Sequence, residues 1–128
     1  MNQLLNTSNC SIRKTLDSKS KLIKLHYSNR FVTIPVEKII RLEGDCNYTV
    51  VHTQNNQYVS SRTLKHFEDI LDDNIFVRVH KSHIVNMLHI KDLQPACFEI
   101  KFEKGNPIEV SRRKLKEVVK KFAIYRFK

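Results

Sequence analysis

Four hydrogen-bond donors lie close together in the stretch F-V-R-V-H-K-S-H-I-V-N, which covers residues 76–86. They are Arg78, His80, Lys81 and Ser82. The first half of the stretch alternates apolar and polar residues, as a half-buried strand does, so Arg78 and His80 are expected to share one face. Lys81 and Ser82 then interrupt the pattern, which delivers the donors together at a strand end. Such donors suit phosphate oxygens and base edges.

A second cluster of cations lies in the block Ser111-Arg112-Arg113-Lys114, where Ser111 is expected to cap the last helix. Cations in a first helical turn oppose the helix dipole by about 0.3–1 kcal/mol each, so a sequence selected for stability alone would place acids there. Cations beside free backbone N–H groups form an anion site that suits phosphate. The alternative is an exposed helix start that tolerates the mismatch.

The overall charge favours the same class of partner. The chain has 128 residues, enough for one domain, and a formal net charge of +10. A surplus of this size favours binding to nucleic acid or to an anionic membrane surface, although solubility alone is the simpler explanation. Cys10, Cys46 and Cys97 are scattered, which argues against a disulfide framework. With no apolar run long enough for a membrane span and no signal-peptide pattern, we expect a cytoplasmic protein.

The histidines offer only a weak case for a metal site or an enzyme. Read as strand residues, His80 and His83 should point to opposite faces, and no cysteine or carboxylate stands with them at ligand spacing. His52 and His66 are expected at the surface. No phosphate-binding loop, nucleophile elbow or paired acidic motif occurs. We therefore expect no metal, no cofactor and no catalytic residue.

The elements that must position the donors are short. Alternating residues predict eight or nine strands joined by tight turns, and apolar stripes predict two helices, at residues 64–71 and 115–122. Ser60 or Ser61 is the expected cap of the first helix. Residues 43–47 are expected to form a loop in which Gly44 takes a positive φ. Residues 98–102 are expected to be a core-facing strand, residues 88–93 a strand, and residues 123–128 a frayed end.

Residues 1–20 are polar and are expected to form a mobile tail ahead of a domain at residues 21–128. Their cations leave a second interpretation open, in which a basic arm touches DNA. That arm would use Arg13, Lys14, Lys19 and Lys21.

Four blocks, in this order, resemble the LytTR DNA-binding domain found at the C-termini of many bacterial response regulators. They are residues 34–49, which end in L-E-G-D-C-N-Y-T, then S-R-T-L at 61–64, R-x-H-K-S-x-I-V-N at 78–86, and I-E-V-S-R-R at 108–113. The resemblance covers roughly residues 21–122. It implies a mainly β fold of short antiparallel sheets side by side, with two or three short helices.

The resemblance also implies a binding mode, in which side chains from loops enter successive major grooves of double-stranded DNA. The base-contacting positions would be Asn47, Lys81 and Arg113. The positions that contact the DNA backbone would be Arg78, His80, Ser82, Ser111, Arg112 and Lys116. For Asn47, a role as a turn former in a glycine-containing loop is the alternative.

The function implied is that of a bacterial transcriptional regulator that binds promoter sites, which are expected to be repeated. A homodimer on DNA and a regulatory partner protein are further partners that such a regulator could use. No receiver domain precedes residue 21, so we expect either a stand-alone regulator or a fragment of a longer one. An RNA-binding β module and a protein-interaction domain are the alternative classes.

Overall fold

The computed structural model describes residues 21–27 and 29–127 of the chain, so the predicted mobile tail at 1–20 lies outside the described residues. The described part contains ten strands and two α-helices. In chain order they are β1 (Leu22–Tyr27), β2 (Arg30–Pro35), β3 (Ile39–Asp45), β4 (Tyr48–Thr53), β5 (Gln57–Ser60), α1 (Leu64–Ile70), β6 (Phe76–His80), β7 (His83–Asn86), β8 (Ile90–Gln94), β9 (Glu99–Phe102), β10 (Ile108–Glu109) and α2 (Arg112–Arg126). Short 3-10 turns occupy Val36–Lys38, Met87–His89 and Pro95–Cys97.

The strands form three antiparallel sheets. The largest has five strands in the order β5-β4-β3-β7-β6, and it is flanked by a two-stranded sheet, β1-β2, and a three-stranded sheet, β10-β9-β8. Most neighbours are consecutive hairpin strands, but β3 pairs with β7, which brings Arg41 opposite Val85. This architecture confirms the predicted mainly β fold with short side-by-side sheets and short helices.

Two hydrophobic cores lie on opposite faces of the five-stranded sheet. Because side chains alternate along a strand, the neighbours Ile84 and Val85 of β7 belong to different cores. The first core joins the sheet to β1-β2 and α1, through Leu25, Ile39, Leu42, Val51, Phe67, Leu71 and Ile84 among others. The second core joins it to the three-stranded sheet and α2, through Val79, Val85, Ile100, Phe102, Val110, Val118 and Phe122 among others. The five-stranded sheet is therefore the frame that holds both helices in place.

The apolar faces of both helices are confirmed except at Val119, which was expected in the stripe of the second helix and is exposed, and some boundaries were wrong. The N-cap of α1 is Thr63, whose side chain accepts a hydrogen bond from the His66 N–H, and not Ser60 or Ser61. Helix α2 continues to Arg126 instead of fraying from residue 123. Phe98 is left-handed with φ 53°, so the expected strand begins at Glu99. Residues 87–89 form a 3-10 turn, and the strand that follows begins only at Ile90.

The predicted loop at residues 43–47 is mostly strand. β3 runs to Asp45, and the positive φ, 56°, belongs to Cys46 and not to Gly44. Gly44 is small for another reason, because a Cβ at this position would lie 3.0 Å from Cγ and Cδ1 of the buried Leu64. The glycine therefore lets α1 pack closely against β3.

Candidate nucleic-acid interface

The first predicted base-contacting residue lies at the tip of the β3–β4 hairpin. Asp45 pairs with Tyr48, so Cys46 and Asn47 form a two-residue turn, and both are exposed. A positive φ at the first loop position is typical of tight hairpins. The Tyr48 hydroxyl donates to Asp45 Oδ2 at 2.9 Å, and this hydrogen bond raises the pKa of Tyr48. We call residues 46–47 the Asn47 tip.

The second base-contacting residue lies at the tip of the β6–β7 hairpin. His80 pairs with His83, so Lys81 and Ser82 form a two-residue turn with Lys81 exposed. The register shifts between Arg78 and His80, which marks a bulge and interrupts the simple alternation expected for this strand. The Ser82 N–H donates to His80 Nδ1 at 3.1 Å. We call residues 81–82 the Lys81 tip.

Arg78 faces the protein at this hairpin. Its Nε donates to the His80 carbonyl at 3.1 Å, one terminal nitrogen to the Lys81 carbonyl at 2.6 Å, and the other to Glu68 Oε1 at 2.9 Å. The side chain is 22% exposed, which is partly buried for an arginine. Each nitrogen of the guanidinium thus has an acceptor within the protein.

Backbone hydrogen bonds join the two tips and the start of α2 at one edge of the molecule. The Gly44 N–H, beside the Asn47 tip, donates to the Ser82 carbonyl at 2.9 Å. The Ser111 N–H, at the start of α2, donates to the Val79 carbonyl at 2.8 Å. Because β4, β3, β7 and β6 are adjacent, the two tips are separated by about two strand spacings, roughly 10 Å. The Asn47 tip, the Lys81 tip and the cationic start of α2 therefore form one row.

The start of α2 supplies the third part of this row. Ser111 is at the N-cap position, as predicted, but its side chain makes no capping hydrogen bond to the helix within the described residues. The Arg112 guanidinium lies over the Phe98 ring, 5.0 Å from its centroid, whereas Arg113 is exposed. Lys81 and Arg113 both line a depression of about 360 Å³, together with Arg78 and Glu68.

The predicted site residues divide by exposure. The three predicted base-contacting residues, Asn47, Lys81 and Arg113, are all exposed. Among the predicted backbone contacts, Arg112 and Lys116 are exposed, while Arg78, His80, Ser82 and Ser111 are partly buried. The last four help to build the row. Arg78, His80 and Ser82 take part in hydrogen bonds at the Lys81 tip, and Ser111 takes part in one at the start of α2.

Sequence reasoning missed three residues of this edge. Arg62 is exposed and follows β5, where its carbonyl accepts a hydrogen bond from the Thr49 hydroxyl at 2.8 Å, next to the Asn47 tip. Glu68 and Gly44 make the contacts described above. Arg62 could have been suspected as a cation between a predicted strand and a predicted helix, but the roles of Glu68 and Gly44 depend on residues distant in the sequence.

The expectation that His80 and His83 point apart was wrong. Counting along one strand ignored the two-residue turn between them, and the two rings face each other across the hairpin with centroids 5.4 Å apart. His83 Nδ1 is buried and has no hydrogen-bond partner among the described residues. Burial and the nearby Arg41 guanidinium lower the pKa of His83.

His52 also differs from expectation, because its side chain is only 15% exposed. Its Nε2 lies 3.0 Å from Glu43 Oε1. Burial and Arg41 lower the pKa of His52 despite that carboxylate. For Glu43, burial alone would raise the pKa, but the hydrogen bond from His52 and the charge of Arg41 lower it. The pair is thus a neutral imidazole that donates to a carboxylate near neutral pH.

No group of three or more histidine, cysteine, aspartate or glutamate side chains at residues 21–27 and 29–127 is placed to hold a metal ion. No helix within the same ranges is both long enough and apolar enough to cross a membrane. Cys46 and Cys97 are free and exposed, and Cys10 lies outside the described residues.

A strongly basic domain that presents two exposed hairpin tips and a cationic helix start along one edge has the features expected of a nucleic-acid-binding domain. Comparison with known proteins specifies that class. The family model described as the LytTr DNA-binding domain matches residues 29–123. The chain belongs to this family, whose members bind DNA and are not enzymes.

Three similar proteins illustrate the match. A solved LytTr DNA-binding domain of a putative methyl-accepting/DNA response regulator from Bacillus cereus superposes with a TM-score of 0.70 and 25% identity, over 81% of this chain and 97% of that one. The sensory transduction protein LytT of Bacillus subtilis is 32% identical over 77% of this chain and 42% of its own length. The heme-containing CO-sensing transcriptional regulator RcoM 1 of Paraburkholderia xenovorans is 35% identical over 56% of this chain and 27% of its own length. The chain therefore spans less than half the length of these two curated relatives.

Proposed function

We propose that this chain recognises specific double-stranded DNA sites as the DNA-binding part of a transcriptional regulator. The observation that carries the proposal is the hydrogen-bonded row of the Asn47 tip, the Lys81 tip and the start of α2. A row of loops on one edge lets side chains enter successive major grooves without a recognition helix. The alternative of an RNA-binding sheet is less well supported, because Phe102 and Ile100 of β9 are buried instead of forming a stacking surface.

The exposed residue of each part suits a base edge. Arg113 can donate two parallel hydrogen bonds to guanine O6 and N7, which is the commonest specific contact in the major groove. Lys81 can donate to the same acceptors without the planar fork. Asn47 can pair with adenine N6 and N7, and its position in a two-residue turn is also compatible with a turn-forming role alone.

The neighbouring residues suit phosphates. Arg112 and Lys116 are exposed cations on the first turns of α2, and Ser111 stands beside free N–H groups of that helix. His80 accepts the Ser82 N–H at Nδ1, so in the neutral ring the proton is on Nε2, where it can donate to a phosphate oxygen. Ser82 would contribute its hydroxyl.

The relatives support a role in regulation, but not a particular signal. The sensing named for RcoM 1 belongs to a protein of which this chain covers 27%. A homodimer on repeated promoter sites and a regulatory partner protein are compatible with the domain, and a promoter-binding protein would act in the cytoplasm. The DNA-binding edge is the part of the proposal that the geometry supports directly.

The test is a binding titration with duplex DNA. With about six phosphate contacts, the logarithm of the association constant should fall against the logarithm of salt concentration with a slope of about −5. Arg113→Ala should cost about 1–3 kcal/mol and relax preference at one base pair. The matched control Arg112→Ala should weaken all sequences equally and reduce the slope by about one.

Two outcomes would contradict this proposal. A flat salt response would remove its electrostatic basis, and stronger binding of single-stranded RNA at the same salt concentration would favour the RNA-binding alternative. If Arg113→Ala weakened every duplex alike while Arg112→Ala changed the preference, the two roles would be exchanged. Melting curves must accompany both variants, because Arg112→Ala also removes the cation–π contact with Phe98.

A further inference from the structure

The Lys81 tip is fixed through its carbonyl groups. The three successive carbonyls of His80, Lys81 and Ser82 each accept a hydrogen bond. The donors are a side chain earlier in β6 and a backbone N–H of the neighbouring strand β3. Arg78 donates to the first two, and the Gly44 N–H donates to the third. The bulge between Arg78 and His80 and the two-residue turn that follows place these carbonyls where the three donors reach them.

Glu68 explains why the Arg78 guanidinium stays in this position. Its Oε1 lies 2.9 Å from Arg78, and the two side chains are 39% and 22% exposed. A charge-assisted hydrogen bond orients the planar guanidinium, so its other nitrogens point at the two carbonyls. A carboxylate beside a DNA-binding edge would by itself repel phosphate, so this local role accounts for its presence in the depression next to Lys81 and Arg113.

The same contacts bear on the phosphate role that the sequence suggested for Arg78. Each nitrogen of the guanidinium already donates to an acceptor of the protein, and the positive charge is balanced by Glu68. Lys81, in contrast, is exposed, and its ammonium group has no such partner among the described residues. The arrangement favours a division of work, in which Lys81 reaches the DNA and Arg78 holds the backbone from which Lys81 extends.

We propose that Arg78, oriented by Glu68, is a positioning residue that fixes the Lys81 tip for base recognition and does not itself contact phosphate. The inference rests on the proposed DNA-binding function. It predicts that the fork of the guanidinium matters and that its charge alone is not sufficient, because an ammonium group cannot bridge two carbonyls and a carboxylate with the same planar geometry.

The variant that tests this is Arg78→Lys, which keeps the charge and removes the fork. Arg78→Lys should weaken binding to the preferred duplex by about tenfold, similar to the loss of one base contact, and relax preference at the same base pair as Lys81→Ala. Its salt slope should equal that of the original protein, since no phosphate contact is lost. The double variant Arg78→Lys with Lys81→Ala should bind no more weakly than Lys81→Ala alone.

Glu68→Gln is the milder companion variant, because the amide oxygen can still accept a hydrogen bond from Arg78. It should retain preference at the Lys81 base pair better than Arg78→Lys does. Amide hydrogen exchange without DNA provides a readout independent of binding. The exchange of Ser82 should accelerate in Arg78→Lys, while that of Asn47 stays unchanged.

Three outcomes would overturn the inference. A salt slope reduced by about one in Arg78→Lys or Arg78→Ala, with all sequences weakened alike, would assign Arg78 to phosphate. Additive losses in the double variant would show that Arg78 and Lys81 act separately. Unchanged exchange at Ser82 would show that Arg78 does not hold the tip. If the original protein bound no duplex, the proposed function would fail, while the exchange experiment would still decide whether Arg78 holds the tip.

Discussion

The two hairpin tips of the five-stranded sheet have the same length but are held very differently. At the Lys81 tip, Arg78 and Gly44 hold three carbonyls, and the Ser82 N–H is bonded to His80. At the Asn47 tip, the side-chain contact is the exposed bond between Tyr48 and Asp45, and Cys46 has a left-handed backbone. The turn of the Lys81 tip is held through its carbonyls by Arg78 and by Gly44 of the neighbouring strand, whereas the turn of the Asn47 tip is closed by the side-chain contact between Tyr48 and Asp45.

The difference shows that equal exposure of two predicted base-contacting residues does not mean equal positioning. A braced backbone loses less conformational entropy when its side chain meets a base. We therefore expect Lys81 to recognise its base pair with a more defined geometry than Asn47. Changes at Gly44, at the two histidines and at Cys46 test whether the two tips behave as separate units.

The largest effect is expected from Gly44→Val, because Gly44 is the residue that joins the two tips. The added side chain would meet Leu64, whose Cγ and Cδ1 already lie 3.0 Å from the position of a Cβ. Such overpacking should lower the free energy of unfolding by about 2 kcal/mol, as measured by urea denaturation. Amide exchange should increase at both tips, since the Gly44 N–H also holds the Ser82 carbonyl.

Gly44→Ala is the control for size and should destabilise the protein less than Gly44→Val. If exchange increased only at the Asn47 tip, the hydrogen bond from Gly44 would not be part of the brace. If Gly44→Val were as stable as the original protein, Leu64 could move aside, and the close packing of α1 on β3 would not require a glycine.

An intermediate effect is expected from pH, because each hairpin carries one histidine whose pKa is lowered by burial. The pKa values of His52 in β4 and His83 in β7 both lie below the ordinary 6.5. Below pH 6.5 the unfolded chain therefore binds protons that the folded chain does not, so stability should fall from pH 7 to pH 5. The contribution of the two histidines to the free energy of unfolding is therefore fully present above pH 6.5.

Urea denaturation between pH 5 and pH 8 measures this effect. The whole range lies above the lowered pKa of Glu43, so this carboxylate stays ionised throughout. Arg41, Glu43 and His80 are the charged or titratable groups nearest to the two imidazoles. His52→Gln and His83→Gln should each remove part of the pH dependence, and the double variant should remove most of it. Equal pH dependence in the double variant and the original protein would assign the effect to other groups.

The smallest effect is expected from Cys46→Gly at the Asn47 tip. A non-glycine residue at φ 56° carries a backbone cost of about 1 kcal/mol, which glycine would remove, although it loses more entropy on folding. The net change should be a gain of about 0.5 kcal/mol in the free energy of unfolding. Cys97→Gly is the matched control, because Cys97 is also exposed but has no positive φ, and it should lose about 0.5–1 kcal/mol. Equal losses in the two variants would show that the Asn47 tip is not strained.

The sequence was sufficient to predict the mainly β fold, the apolar faces of both helices and the three polar points. The short strands and the helix faces follow from alternation and helical spacing, which depend on neighbouring residues only, whereas the arrangement in short sheets side by side was implied by the resemblance to the LytTR domain. The sequence motif did not separate binding residues from core residues. Ile84, Val85 and Asn86 are all buried, and the Asn86 side chain donates to the Ile39 carbonyl at 2.8 Å. Three of the seven specified positions of the motif R-x-H-K-S-x-I-V-N are therefore structural.

What could not be predicted depends on contacts between distant residues. A glycine is compatible with a positive φ or with a close neighbour, and only the position of Leu64 decides between these for Gly44. Likewise, an arginine in a basic stretch suggests phosphate until its partner Glu68, ten residues earlier, is placed beside it. His80 and His83 became neighbours because a two-residue turn separates them, which strand counting alone does not include.

The pairing of β3 with β7 has a consequence for how the domain becomes functional during folding. The hairpins that carry the two tips are local and can form early, but their joining along β3 and β7 closes a long segment of chain, which costs loop entropy and slows folding. A partly folded chain keeps its positive charge, whereas the spacing of the Asn47 tip, the Lys81 tip and the start of α2 exists only once β3 and β7 have paired. If the chain recognises DNA as proposed, sequence discrimination would therefore require the β3–β7 pairing, while general affinity for a polyanion would not.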